Sequence, residues 1–193
     1  MNYLTRDERR EVILKAAMQV ALSGGFAAMT VRHIATIAGV ASGQVHHHFT
    51  SIGELKALAF VRLIREMLDM PLVPDDANWR ERLFAMVGSD DGRLEPYIRL
   101  WREAQLLADS DADIKGAYLL TMDMWHKETV ALILQGTEAN EFRPIDNADN
   151  IAWRLIALVC GLDGIYALGM NEINDETFTR YIQHYITIEL NPA

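Results

Sequence analysis

Residues 30–55 read TVRHIATIAGVASGQVHHHFTSIGEL, and the spacing within them decides the fold. Thr30 is placed to cap a helical run in which Val31, Ile34 and Ala35 share one face, extended by Ile37 and Ala38. Gly39 supplies the permissive backbone that a tight corner between two helices needs. Ser42 to His48 then make a helix of about two turns, with Val45 as apolar anchor and Phe49 closing it. Two short helices meeting at such a corner form a helix-turn-helix, and the second is the usual reader of the major groove. Ser51 and Glu54 form an S-x-x-E capping box that opens the next, longer helix.

Working outward, every other segment also carries helical periodicity. Thr5 and Glu8 make a second capping box, and Val12, Ile13, Ala16, Ala17 and Val20 give a stripe ending at Gly24. A fourth helix over 52–70 stops before Pro71 and Pro74, with Leu55, Leu58, Ala59 and Leu63 turned to the headpiece. A fifth, capped by Asp75 or Asp76, ends at Gly88. Further helices are expected over 94–108, 111–134 and 147–170, and from Asp175 onward. No strand alternation or repeat is visible. The expected fold is all-α with about nine helices: an N-terminal three-helix helix-turn-helix module, residues 1–50, and a larger C-terminal helical domain, residues 51–193.

The chain resembles the TetR family of bacterial transcriptional regulators. Its pattern runs roughly T-[VI]-x-x-I-A-x-x-A-G-V-x-x-G-x-[LIV]-[YH]-x-[YH]-F. Thr30, Val31, Ile34, Ala35, Ala38, Gly39, Val40, Gly43, Val45, His46, His48 and Phe49 match it. Residues 13–17, Ile-Leu-Lys-Ala-Ala, and Gly24-Gly25-Phe26 match the family's first helix and its exit. The match is strong over about the first 65 residues and continues as helix layout beyond them. It implies a homodimer paired through the last two long helices. It also implies an effector pocket in the larger domain and a near-palindromic double-stranded DNA operator as partner. More weakly, GVASGQVHHHF, Leu162-Asp163-Gly164 and Tyr181-Ile182 resemble the branch of choline-sensing repressors of betaine operons.

The resemblance makes Gln44 and His47 base-contact candidates and puts Ser42 and His46 near phosphates. Gln suits the adenine edge, and histidine can donate to phosphate or guanine. Gly43 permits close backbone approach, while Thr30, Arg32 and Lys56 are phosphate candidates. The alternative for Gln44 and His47 is an ordinary solvated face. A basic residue common in the family is missing at Ser42, as is a lysine at Ile52. Those departures motivate a second reading, a dimeric small-molecule-binding protein of the same fold without operator binding.

Composition narrows the remaining classes. The overall charge is −9, but residues 1–66 carry +3 and residues 67–193 carry −12, an asymmetry expected of a DNA reader with an acidic body. The single cysteine, Cys160, allows no internal disulfide and fits a reducing, cytoplasmic setting. No apolar run reaches the ~20 residues of a membrane span, and residues 155–168 are interrupted by Gly161, Asp163 and Gly164. No phosphate loop, zinc signature or nucleophile motif suggests an enzyme or a cofactor. Adjacent histidines 46 to 48 point about 100° apart on a helix, so no metal is expected there.

In the second half, the 147–170 helix is apolar nearly all round and must be covered on all sides. Ala157, Gly161, Gly164 and Leu168 form a small-residue side suited to close approach of a second copy, with Phe178, Tyr181, Ile182 and Tyr185 of the last helix beside it. Tyr97, Trp101, Met122, Trp125 and Tyr166 are an aromatic and methionine set that is either core or the lining of the effector pocket. Asp163, a carboxylate on the apolar helix, either satisfies Arg154 or a histidine at the dimer seam or faces a ligand. Such a set would suit a quaternary ammonium by cation–π attraction.

Overall fold

A computed structural model describes residues 5–88, 92–170 and 172–190. Among the described residues there are nine helices and no strand. They are α1 (Arg6–Ala28), α2 (Val31–Ala38), α3 (Ser42–His48), α4 (Ile52–Leu68), α5 (Trp79–Gly88), α6 (Glu95–Leu107), α7 (Ala112–Glu138), α8 (Ala148–Tyr166) and α9 (Asp175–Leu190). The all-α expectation holds, and the local signals account for most boundaries. The Thr5 hydroxyl accepts from the Glu8 amide while the Glu8 carboxylate accepts from the Thr5 amide at 2.7 Å. Asn147 caps α8 by accepting from the Asn150 amide at 2.9 Å.

Some boundaries differ for identifiable reasons. The first helix breaks where its stripe was expected to end: Gly25, directly after Gly24, is non-helical (φ 71°, ψ −174°), a conformation only glycine enters freely, and a short further turn runs on to Ala28. Asn78 rather than Asp75 or Asp76 caps α5, exchanging bonds with Glu81 at 2.9 and 3.0 Å. Ser51 accepts from the Glu54 amide, but the Glu54 carboxylate reaches one residue further back, to the Thr50 amide at 2.6 Å. Ile37 lies past the edge of the α2 apolar face and is exposed. Helix α8 ends at Tyr166, so Leu168 lies beyond it.

The chain divides into two compact units. The first holds residues up to Asp69 together with Gly92–Met122, so α4, α6 and the start of α7 pack with the three N-terminal helices. This division by packing differs from a functional boundary at residue 50. Ile13, Phe26, Ile34, Leu55, Phe60 and Leu100 are fully or almost fully buried at its centre. Four rings run edge to face through it, Phe26 to Phe60 (5.7 Å), Phe60 to Trp101 (6.1 Å) and Trp101 to Tyr118 (5.6 Å). Helix α1 is long and apolar enough to cross a membrane by length and composition alone, although it holds no unbroken apolar run of that length; half of its most apolar stretch is buried.

The second unit holds Met70–Asp91 and the residues from Asp123 onward. Leu83, Ile133, Phe142, Ile151, Leu155, Ile182 and Ile186 form its core, with α5 packed on α8 and α9. Arg154 on α8 donates to both oxygens of the almost fully buried Glu189 (2.7 and 2.6 Å) and to Asp146 (2.9 Å). The amides of Arg143 and Ile145 donate to the last carbonyls of α9, those of Leu190 (2.7 Å) and Glu189 (3.0 Å).

Candidate nucleic-acid interface

Helix α3 is held by one face and open on the other. Val45 and Phe49 are buried in the first unit's core, and the Arg10 guanidinium lies 4.6 Å from the Phe49 ring centre. Ser42, Gly43, His46 and His47 are exposed, and Gln44 is half-buried at the edge of the same surface. Among the described residues a Cβ at Gly43 would meet nothing within 4 Å, so the backbone there is open to close approach. The corner is set by Gly39 in the left-handed region (φ 66°, ψ 33°), with its amide returned to the end of α2.

The flanking candidates fall around this helix. The Thr30 hydroxyl oxygen accepts from the His33 amide at 3.2 Å as the cap of α2, which leaves its hydrogen free to donate outward. Arg32 is exposed within the first turn of α2, and Lys56 is half-exposed on the first turns of α4. His33 packs its Nδ1 3.1 Å from the Ala28 carbonyl.

His48 occupies an unusual position at the end of the reader. Its Nδ1 is buried with no hydrogen-bond partner among the described residues. Desolvation, followed by the positive charges of His47, Arg6, Arg9 and Arg10, holds its pKa below the ordinary histidine value. The arginines of the first turns of α1 were not among the sequence candidates, because Arg6, Arg9 and Arg10 are interleaved with Asp7, Glu8 and Glu11 and the segment carries no net charge.

The structure distributes the aromatic set over both units. Tyr97, Trp101 and Met122 belong to the first. Trp101 donates its indole N–H to the Tyr118 hydroxyl at 3.2 Å, and burial, then the Glu66 carboxylate, raises the Tyr97 phenol. Trp125, Asp163 and Tyr166 belong to the second, where Trp125 donates to the Met86 carbonyl at 3.1 Å and Tyr166 meets Phe178 edge to face. A cleft of about 450 Å³ in the second unit lies between residues 73–77 and α5, lined by Val73, Pro74, Glu81 and Phe84, and involves none of that set. Among the described residues no three metal-ligating side chains converge.

On α8, Ala157, Gly161 and Gly164 are exposed, as is Leu168 just past its end, and a Cβ at either glycine would meet nothing within 4 Å. On α9, Tyr181 and Tyr185 are exposed and Phe178 is half-buried. Ile182 is different: it is fully buried in its own protomer's core, where its side chain would be struck by a Cβ at Gly88. It lies on the opposite edge of the α9 stripe from the two tyrosines and is not available to a second copy.

A capped helix, a left-handed glycine corner and a two-turn helix with an open outer face define a helix-turn-helix DNA-binding protein. Residues 13–57 match the model of the bacterial regulatory proteins, tetR family. Over 162 residues the chain is 30% identical to the HTH-type transcriptional repressor KstR2 of Mycobacterium tuberculosis, covering 78% of this chain and 76% of that protein. The chain belongs to the TetR family of transcriptional regulators. Solved structures share the fold along nearly the whole chain. A TetR-family regulator from Cytophaga hutchinsonii matches with a TM-score of 0.76 at 23% identity, covering 98% of each chain. A transcriptional regulator from Saccharomonospora viridis in complex with choline matches with a TM-score of 0.73 at 24% identity, covering 95% of this chain and 98% of that one.

Proposed function

We propose that the protein is a homodimeric repressor released from a near-palindromic operator by a small-molecule effector. The observation that carries the DNA part is the open face of α3, where Ser42, Gly43, His46 and His47 stand clear of the protein with Gln44 at their edge. Gln44 and His47 read bases there, Ser42 and His46 lie nearer phosphates, and Thr30, Arg32 and Lys56 hold the backbone on either side. Repression is the sense supported by the relative KstR2, which is named as a repressor.

Pairing of two copies is supported by the surface of α8 and α9. Trp153, Ile165, Tyr181, Tyr185 and Ile188 are large apolar side chains left substantially exposed around the open glycines. Large apolar side chains left exposed on two helices that pack together are the usual mark of an interface. Two copies then place two α3 helices roughly 34–36 Å, or a multiple, apart on successive major grooves.

The effector is a small apolar or cationic molecule recognised by aromatic faces. The likeness to a choline-bound regulator supports a quaternary ammonium as the first compound to try. Release requires that the effector bind the DNA-incompetent state more tightly than the competent one.

A gel shift on DNA flanking the protein's own gene tests the proposal, with wild type, Gln44→Ala and added choline. Specific retardation that is weakened on that DNA alone by Gln44→Ala, and reversed by choline, is the expected result. Absence of any specific retardation by the wild type would favour a dimeric small-molecule-binding protein of this fold. Retardation unaffected by choline would remove that effector only.

A further inference from the structure

In an unbroken α-helix the Phe26 N–H would donate to the Leu22 carbonyl four residues earlier. Here Gly25, with its positive φ, turns the Phe26 amide out of α1. Both halves of the missing bond are taken by side chains of α6. The Glu103 carboxylate accepts from the Phe26 amide at 2.8 Å, and the Arg99 guanidinium donates to the Leu22 carbonyl at 2.6 Å. Arg99 and Glu103 are four residues apart on one face of α6, with the buried Leu100 and Ala104 beside them. A Cβ built at Gly25 would fall on the Glu103 carboxylate, so the glycine serves both the backbone turn and the close approach.

The position of this split bond matters for the reader. Only residues 27–30 separate Phe26 from α2, and Thr30, the last of them, is the cap of α2. The short segment is itself tight, with Met29 and Thr30 amides donating to the Phe26 and Ala28 carbonyls at 3.2 and 2.8 Å. A change at the break therefore reaches Thr30 and Arg32 with little chain to absorb it.

We infer that Arg99 and Glu103 act as a clasp on the broken end of α1, making Glu103 a positioning residue for operator recognition although it lies about fifty residues beyond the DNA-reading helices. The inference rests on the DNA-binding role proposed above. Glu103 touches no base or phosphate; it fixes the geometry from which Thr30, Arg32 and α3 approach the operator.

Glu103→Ala, Glu103→Gln and Arg99→Ala separate this from general support of the fold. Hydrogen exchange of the Phe26 amide and operator affinity across a salt series are the two measurements. A charge-assisted hydrogen bond is lost in Glu103→Ala, so exchange at Phe26 should quicken about tenfold or more. Operator affinity should fall about three- to tenfold as the competent seating becomes a fraction of the population. The slope of affinity against salt should stay unchanged, because no phosphate contact is removed. Glu103→Gln keeps an acceptor oxygen and should restore most of both, and Arg99→Ala, a substitution at an exposed site, should weaken affinity in the same sense. Unchanged Phe26 exchange in Glu103→Ala, or quickened exchange with undiminished operator affinity, overturns the clasp; so does a glutamine variant as impaired as alanine. A wild type that binds no operator refutes the DNA-binding role instead, and the exchange comparison still decides whether the clasp exists.

Discussion

Replacing both Tyr181 and Tyr185 with aspartate should dissociate the proposed dimer while leaving each protomer folded. Tyr185 is 43% exposed and its neighbour Tyr181 39% exposed on the outer face of α9. A tyrosine offers ~150–250 Å² of surface, so about 80 Å² of each ring remains to be covered by a second copy. At ~25 cal/mol per Å² this is about 2 kcal/mol per ring. A two-fold interface contains each position twice, which makes the loss about 4 kcal/mol per dimer for one substitution, or roughly a thousandfold in Kd. A carboxylate brought against its symmetry mate raises the cost further. Sedimentation at about 1 µM, a concentration at which a nanomolar dimer is complete, should show wild type as dimer and Tyr181→Asp/Tyr185→Asp as monomer. Far-UV circular dichroism at about 25 °C should keep its helical signal, because neither ring belongs to the protomer's core, although the melt should shift downward as the stabilisation supplied by pairing is lost. A folded, fully dimeric double variant at that concentration would refute the assignment of the interface to this face.

Lys56→Ala should weaken binding to all DNA alike and lower the salt slope by about one, measured by fluorescence anisotropy on cognate and random duplexes. His48 is held below the ordinary histidine pKa, so the unfolded chain takes up its proton first on acidification. The stability it supports is complete above about pH 6.5 and is lost as pH falls through that value toward the lower folded one; thermal melts from pH 7.5 to 5 should decline more steeply for wild type than for His48→Gln. Gly136→Ala would drive a methyl into the edge of the buried Phe142 ring and toward Trp79, and urea denaturation should show a loss of about 1–3 kcal/mol. A Gly136→Ala variant of wild-type stability would mean that Phe142 can move aside at no cost.

What the sequence disclosed was mostly local. Thr5, Thr30 and Ser51 act within three or four residues of themselves, and Gly39 acts on its own backbone, so each was legible from spacing alone. The cap of α5 was ambiguous because Asp75, Asp76 and Asn78 all have competent side chains, and only the reciprocal bond with Glu81 selects among them. Ile182 was misassigned because the α9 stripe serves two directions. Ile182 and Ile186 turn inward, while Tyr181 and Tyr185 turn out, and adjacent residues on a helix differ by only about 100°. Glu103 left no signal at all: its partner lies 77 residues earlier, and the glycine that admits it reads as an ordinary helix exit.

The bonds from Arg143 and Ile145 to the end of α9 have a practical consequence. The final carbonyls of a helix ordinarily turn to water and fray, but here two of them are tied to a segment more than forty residues upstream. Glu189, in the same turn, anchors Arg154, and Arg154 in turn holds Asp146. Trimming the chain back past Glu189 would therefore do more than shorten a tail. It would unfasten the connection between α7 and α8 at the same stroke. A fusion partner joined directly after Leu190 would press on that fastening, whereas one joined through a flexible spacer would leave it alone.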